Sequence, residues 1–308
     1  MPIQAMKYVW MNGEQVPHED AKVHILTHAL HYGYGVFEGI RAYDTPRGSA
    51  IFRLTDHINR FYESAKILML EIPYAPSELI EATKRLVEVN GQASCYIRPI
   101  AYLGYGEMGL NPLTGSTDVA IANWPWGAYL GDEGLSKGIR AKISSFKRHD
   151  PNIIPPAAKT TGGYINSALA KAEAIKAGYD EAIMLSGQGF VSECTGENIF
   201  IVKDGVLLTP SDASGALSGI TRKTITQVAK DMGIETRDTQ LLRTDLYLAD
   251  EMFITGTAAE VVPVSSVDDR AIGSGEPGKL SKELQRRYFQ IVTGNEPAYD
   301  HWLEYVKG

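Results

Sequence analysis

Apolar and polar positions along this chain repeat with two periods, and the changes between them mark the elements. Residues 7–43 read as short strands and turns. Asn12-Gly13 is a hairpin signal after Tyr8-Val9-Trp10. The stretch HALHYGYGVFEGIRAY then spaces aromatic and apolar residues with Gly33, Gly35 and Gly39. Glycine inside a strand marks a bulge or a close approach by backbone or ligand. From Thr55, read as an N-cap, the period lengthens: Ile58, Phe61, Ala65 and Leu68 fall on one helical face. Ser77 is read as the cap of a second helix with Leu79, Thr83, Leu86 and Val87 on its apolar face, ended by Asn90-Gly91. In CYIRPIAYLGYG the period returns to two, so Tyr96, Arg98, Ile100 and Tyr102 share one face of a strand.

Residues 122–134, ANWPWGAYLGDEG, break every pattern and are the best boundary between domains. Beyond them, Ile165, Ala168, Leu169, Ala172 and Ile175 predict a helix buried along that stripe and closed by Gly178. The stretch from Glu181 to Pro210 reads as an antiparallel meander with a hairpin at Asp204-Gly205. A Gly-rich lead enters a helix with Thr221, Ile225, Val228, Ala229 and Met232 on its stripe. EMFITGTAAEVVPV predicts strand, tight turn and strand; Leu280, Leu284, Tyr288 and Ile291 mark a last helix, and the C-terminal YDHWLEYVKG an amphipathic docking segment. Strands and helices in both halves give an α+β or α/β protein of two domains, 1–124 and 136–308, joined by a loop at 125–135.

Composition narrows the function. A net charge of −7 offers no basic field to nucleic acid or anionic lipid. No apolar run approaches the roughly 18 residues of a membrane helix, and the N-terminal MPIQAMKYVWMNGEQ lacks a signal-peptide pattern. Cys95 and Cys194, far apart and outside any CxxC, exclude a disulfide framework and a cysteine-rich metal site. No HExxH is present. A cytoplasmic protein without a metal is expected.

Several residues carry candidate chemistry, each with a plainer alternative. Lys159, in PPAAKTTGGY, has small and mostly uncharged neighbours. Desolvation there would lower its pKa and free the amine for Schiff-base chemistry; otherwise it is a surface lysine in a loop. Arg60 lies off the apolar stripe of its helix, as a solvated charge or an anion ligand. Tyr96 and Arg98, a phenol and a guanidinium on one strand face, suit a carboxylate or an edge salt bridge. Glu193, inside the strand FVSEC, faces solvent or meets a buried cation. The amides of Ile220 and Thr221 open a helix, and the turn at Thr257-Ala258 exposes successive amides; both arrangements bind anions. Tyr32, Phe37, Trp126 and Tyr129 are pocket walls or core. Met108 and Leu110, at an apolar loop tip, suggest cover by another subunit.

Jointly these residues match the needs of pyridoxal phosphate (PLP): an amine for the aldehyde, a helix N-terminus and a cation for the phosphate, an acid for the pyridine nitrogen and a clamp for the substrate carboxylate. The segments HALHYGYGVFEGIRAY, FRLTDHINRFYESAKIL, YIRPIAYLGYGEMGLNP, WPWGAYLG, PPAAKTTGGYINS, GFVSECTGENIF, LSGITRKTI and YLADEMFITGTAAEVVPV resemble the branched-chain-amino-acid aminotransferases of the fold-type IV, class IV PLP group. The resemblance runs from about Tyr8 to the last helix. It implies a small N-terminal α/β sandwich and a larger C-terminal PLP-binding pseudo-barrel, with the active site at their interface. It implies that Lys159 bonds the cofactor and shuttles the substrate proton, and that Glu193 pairs with the pyridine nitrogen. Tyr164 would bond the phenolic oxygen. Arg60, Ile220, Thr221 and Thr257 would hold the phosphate. Tyr96, oriented by Arg98, would bind the substrate carboxylate with the amides of Thr257 and Ala258. Phe37, Gly39, Tyr32, Tyr129 and Trp126 would wall the side-chain pocket, with Met108 and Leu110 arriving from a second copy in a homodimer or homohexamer. The implied reaction is ping-pong transamination of leucine, isoleucine and valine with 2-oxoglutarate, in branched-chain amino acid biosynthesis. The alternatives are a D-amino-acid aminotransferase or an aminodeoxychorismate lyase of the same fold, and a non-catalytic PLP-binding protein. The Asn111–Ser116 loop is about one residue shorter than in close bacterial members. Thr160-Thr161 and Cys194-Thr195 stand where smaller residues are expected. The CxxC pair of some animal members is missing, so no thiol switch is expected.

Overall fold

The computed structural model describes residues 3–127 and 129–307. It divides into two compact units: Met1–Trp126 with Ala158–Gly162 and Gln290–Gly308, and Gly127–Ala157 with Gly163–Phe289. The sequence division at 125–135 falls on the first break between them, but the short segment carrying Lys159 and the C-terminal residues belong to the first unit.

The first unit is built on an antiparallel sheet. Its strands are β1 (Tyr8–Met11), β2 (Glu14–Pro17), β3 (Gly35–Phe37), β4 (Ile40–Thr45), β5 (Gly48–Phe52), β6 (Cys95–Leu103) and β7 (Thr117–Trp124). The order is Leu303–Tyr305, β5, β4, β6, β7, β1, β2, with β3 also on β6. Phe37 opposes Ile100 and Ile40 opposes Ile97, so β3 and β4 follow one register along β6. The ladder is interrupted opposite Pro99, which accepts from the Glu38 amide at 2.9 Å but has no N–H to return. Glu38 and Gly39 therefore lie between β3 and β4, outside the ladder.

A short helix, α1 (His28–Tyr32), precedes β3; α2 (Leu54–Ile67) and α3 (Pro76–Asn90) pack on the sheet. Their expected stripes are buried, with Ile58, Phe61, Leu79 and Leu86 at 0 % exposure. Their caps differ from expectation. The N-cap of α2 is Arg53, in left-handed backbone at φ 52°. The Thr55 amide is satisfied at long range by Glu304 Oε1, 2.7 Å away. The N-cap of α3 is Ala75, whose amide donates to Glu78 Oε2 at 2.6 Å, so Ser77 lies inside the helix.

The second unit carries α4 (Gly131–Lys137), β8 (Ile139–Ile143), α5 (Tyr164–Lys176), β9 (Glu181–Leu185), β10 (Val191–Cys194), β11 (Asn198–Lys203), β12 (Val206–Pro210), α6 (Ile220–Asp231), β13 (Thr236–Thr239), α7 (Arg243–Tyr247), β14 (Glu251–Gly256) and β15 (Glu260–Val267). Its sheet runs β10, β9, β8, β15, β14, β11, β12, β13. The expected meander is two hairpins, β9–β10 and β11–β12, held apart in this order. The Cys194 amide closes a turn on Glu197 O at 2.8 Å, and β11 takes β14 as its second neighbour. The α5 expectation is reversed. Ser167, Ala170 and Ala174 are its buried residues, while Ile165, Leu169 and Ile175 are 66 %, 47 % and 58 % exposed. Small side chains let the helix lie close on β9, against Ala182 and Met184.

Candidate active site

In the first unit the Lys159 segment is laced along β3. The Phe37 amide donates to Lys159 O at 3.0 Å, the Thr161 amide to Gly35 O at 2.8 Å and the Gly162 amide to Gly33 O at 3.0 Å. The Lys159 amide donates to the buried Ser64 Oγ at 3.1 Å. A Cβ on Gly33 would stand 3.0 Å from Gly162 Cα, so the glycines expected to mark a close approach do mark one, by backbone. The Lys159 side chain is half-buried, with Nζ 5.1 Å from the centre of the Phe37 ring.

The same ring faces the Arg98 guanidinium at 4.6 Å. Arg98 Nη2 donates to Tyr96 Oη at 3.3 Å, and Tyr96 packs edge-on against Trp126 at 4.5 Å. Arg98 Nε is buried with no hydrogen-bond partner among the described residues, a donor that suits a bound carboxylate. Gly39 lies beneath the phenol: a Cβ there would be 1.9 Å from Tyr96 Oη. Lys159, Phe37, Arg98, Tyr96, Gly39 and Trp126 thus form one chain of contacts. Arg60 is buried, not solvated, and pairs with Glu38 at 2.7 Å. Tyr32, Met108 and Leu110 are 45 %, 46 % and 83 % exposed. The loop bearing the last two is pinned where His28 Nε2 donates to Gly109 O at 2.7 Å.

In the second unit Glu193 is buried. The β10–β9 register shifts between Val191 and Glu193, an irregularity of the kind that re-aims a side chain. Glu193 Oε1 meets Arg148 Nη2 at 2.7 Å, and Oε2 accepts from the Leu217 amide at 2.9 Å. Asn198 Nδ2 reaches Glu193 Oε2 at 3.5 Å and donates to Leu217 O at 2.8 Å. The same amide fixes the entry to α6: a Cβ on Gly219, its N-cap, would be 1.9 Å from Asn198 Oδ1. The buried acid and the first turn of α6, where Ile220 and Thr221 are themselves buried, are therefore held by one asparagine. Tyr164 begins α5. Thr257 and Ala258 form the turn between β14 and β15, closed where Gly256 opposes Glu260, a left-handed residue at φ 65°. Tyr129 is 38 % exposed, its ring 5.6 Å from Lys171 Nζ.

Sequence reasoning missed Glu38, His57, Ser64, Arg148 and Asn198, which hold the expected residues in place. Glu38 carried a signal, an acid between Phe37 and Ile40 in an apolar strand; Arg148 and Asn198 carried none locally. Both cysteines are buried and unbridged. Burial pushes the Cys95 thiol up to about 11 and the Cys194 thiol well above its ordinary value, so neither is a nucleophile at neutral pH.

The first unit carries an amine and a buried arginine, and the second a buried acid and a helix N-terminus; each is a kind of group that PLP binding uses. The family model for class IV amino-transferases matches residues 35–267. The branched-chain-amino-acid aminotransferase of Pseudomonas aeruginosa is 49% identical over 97% of this chain and 97% of its own. The crystal structure of the Escherichia coli branched-chain amino acid aminotransferase is 49% identical, with a TM-score of 0.96 over 98% of this chain and all of that one. A T.th. branched-chain amino acid aminotransferase complexed with N-(5'-phosphopyridoxyl)-L-glutamate is 50% identical, with a TM-score of 0.95 over 99% of this chain and all of that one. By sequence and by fold, the chain belongs to the class IV aminotransferases, among the branched-chain-amino-acid enzymes of that family.

Proposed function

We propose that this branched-chain aminotransferase moves the amino group of leucine, isoleucine or valine to 2-oxoglutarate, giving branched-chain 2-oxo acids and glutamate in biosynthesis. The observation that carries the reading is the contact chain in the first unit, where Lys159 Nζ and the Arg98–Tyr96 pair meet at the Phe37 ring. A reactive amine and a carboxylate clamp spaced by one aromatic ring suit an α-amino acid with an apolar side chain. The glutamate-bearing ligand of the T.th. enzyme supports the second substrate.

When bound, PLP supplies an aldehyde for the amine and a ring that takes up the electron pair released at the substrate α-carbon. The protein does the rest. Lys159 would be the amine that holds the aldehyde, and would carry the proton at the substrate α-carbon. Glu193 holds the proton at the pyridine nitrogen, and Tyr164 bonds the phenolic oxygen. Arg60, Thr257 and the amides of Ile220 and Thr221 hold the phosphate. Tyr96, oriented by Arg98, would hold the substrate carboxylate with the amides of Thr257 and Ala258, and Arg98 or tyrosine hydroxyls would take the distal carboxylate of glutamate. Phe37, Gly39, Tyr32, Tyr129 and Trp126 wall the apolar pocket. Met108 and Leu110 complete it from a second copy of the chain, a role their exposure supports. No helix among the described residues is long and apolar enough to cross a membrane, and the cytoplasm is the proposed location.

Two experiments bear on this reading. With 2-oxoglutarate as acceptor, L-leucine, L-isoleucine and L-valine should each be turned over and D-alanine should not; turnover of D-alanine alone would sink the reading. In Gly39→Ala the new methyl group should displace the Tyr96 hydroxyl. Losing one hydrogen bond to a charged carboxylate should raise KM for leucine about tenfold or more, at unchanged circular dichroism. An unaltered KM would remove Tyr96 from the carboxylate site.

A further inference from the structure

Glu38 has no part in the chemistry above, yet it is wholly buried and both its oxygens are engaged. Oε1 accepts from Arg60 Nε at 2.7 Å. Oε2 accepts from Arg60 Nη2 at 3.0 Å, from the Gly39 amide at 3.2 Å and from His57 Nδ1 at 2.7 Å. Burial raises the Glu38 carboxyl, but the Arg60 charge and the hydrogen bonds from His57 and Arg60 outweigh it and hold the group well below the usual carboxylate range. His57 is itself 1 % exposed. Burial, with the nearby charges of Arg60 and Lys159, lowers it by more than Glu38 raises it, so the ring is neutral at pH 7 and its contact with Glu38 is a hydrogen bond from Nδ1–H, not an ion pair. The cluster therefore holds one anion and one cation.

An arginine on a surface helix samples many rotamers. Arg60 does not, because a side-on pair of bonds through Nε and Nη2 fixes the plane of its guanidinium. His57 fixes Glu38 in turn, one helical turn before Arg60 on α2. The Gly39 amide ties the same carboxylate to the glycine beneath the Tyr96 hydroxyl. We propose that Glu38 and His57 are positioning residues that orient Arg60 for the cofactor's phosphoryl group, so that this cluster distinguishes PLP from its unphosphorylated form. The inference rests on the reading of Arg60 as a phosphate ligand.

Two effects of losing Glu38 oppose each other, and their opposition makes the test decisive. Deleting an anion near a phosphate dianion favours binding by simple Coulomb attraction. Freeing the guanidinium disfavours it, because a mobile arginine must be ordered again on binding. If positioning dominates, PLP binds less well although a negative charge has gone.

The experiment uses the full chain, stripped of cofactor and titrated separately with PLP and with pyridoxal, read by visible absorption and by quenching of tryptophan fluorescence. Glu38→Gln is expected to weaken PLP about tenfold or more, the scale of a lost charge-assisted bond, and to leave pyridoxal within about twofold. His57→Leu keeps the Glu38–Arg60 pair, protecting the test if Glu38→Gln folds poorly, and should weaken PLP in the same selective way. His57→Asn, whose amide can stand in for Nδ1–H, should restore it. Equal loss of PLP and pyridoxal would make the cluster merely structural, and unchanged or tighter PLP binding in Glu38→Gln would overturn the proposal. Arg60→Met separates the two ideas. If it abolishes the preference for PLP while Glu38→Gln keeps it, only the positioning inference fails; if it keeps the preference, the reading of Arg60 fails.

Discussion

Lys159→Ala should abolish transamination, lowering kcat by about a thousandfold or more, while the protein folds as before. The amine is assigned two tasks, the covalent bond to the cofactor and transfer of the α-proton, and alanine performs neither. Folding should survive because the segment is held through its backbone: the Lys159 carbonyl and amide are bonded to the Phe37 amide and Ser64 Oγ whatever the side chain. The contact of Nζ with the Phe37 ring is lost, worth about 0.5–1 kcal/mol for a partly exposed cation. Thermal unfolding should therefore shift by only about 2–4 °C. Lys159→Arg should be as inactive as the alanine variant, since a guanidinium keeps the charge over Phe37 but cannot lose a proton at neutral pH. Turnover by either variant, or a cofactor absorption band unchanged from wild type, would move the covalent anchor elsewhere.

The stripes of α2, α3 and α6 were legible because amphipathic periodicity is local and their apolar faces are the buried ones. The same period in α5 identified the helix and mistook its inner face. There Ser167, Ala170 and Ala174 pack inward because a close approach to β9 needs small side chains more than large ones. Glycine spacing at Gly33, Gly35 and Gly39 announced close approaches, and Gly39 beneath Tyr96 places one among the expected substrate residues. What could not be read was partnership at long range. Thr55 looks like a cap until Glu304 is found on its amide. Glu193 looks like a solvated strand acid until Arg148, from beyond β8, is found beside it. Local sequence thus offered the groups proposed to act, but partners such as Arg148, Glu38 and Ser64 came from segments tens of residues away.

The Arg148–Glu193 pair yields the second large effect. Glu193→Gln should lower kcat by about a hundredfold or more, the scale of one lost preorganised charge in a water-poor site, with KM for the amino donor little changed. A loss of activity alone would not separate chemistry from structure, because both partners are about nine-tenths buried. Removing Glu193 leaves the Arg148 charge uncompensated, at a cost of roughly 3–5 kcal/mol. The single variant should therefore melt well below wild type, and Arg148→Met should destabilise for the mirror-image reason. In Glu193→Gln/Arg148→Met both buried charges are gone, and stability should return close to wild type, since replacing a buried ion pair as a unit is often neutral. Activity should not return, because the acid proposed to serve the pyridine nitrogen is then missing. A double-mutant cycle in both unfolding free energy and kcat reads the two outcomes side by side. Strong coupling in stability with no recovery of kcat assigns Glu193 to the chemistry and Arg148 to its support. Recovery of kcat along with stability would show instead that the acid mattered only as Arg148's partner.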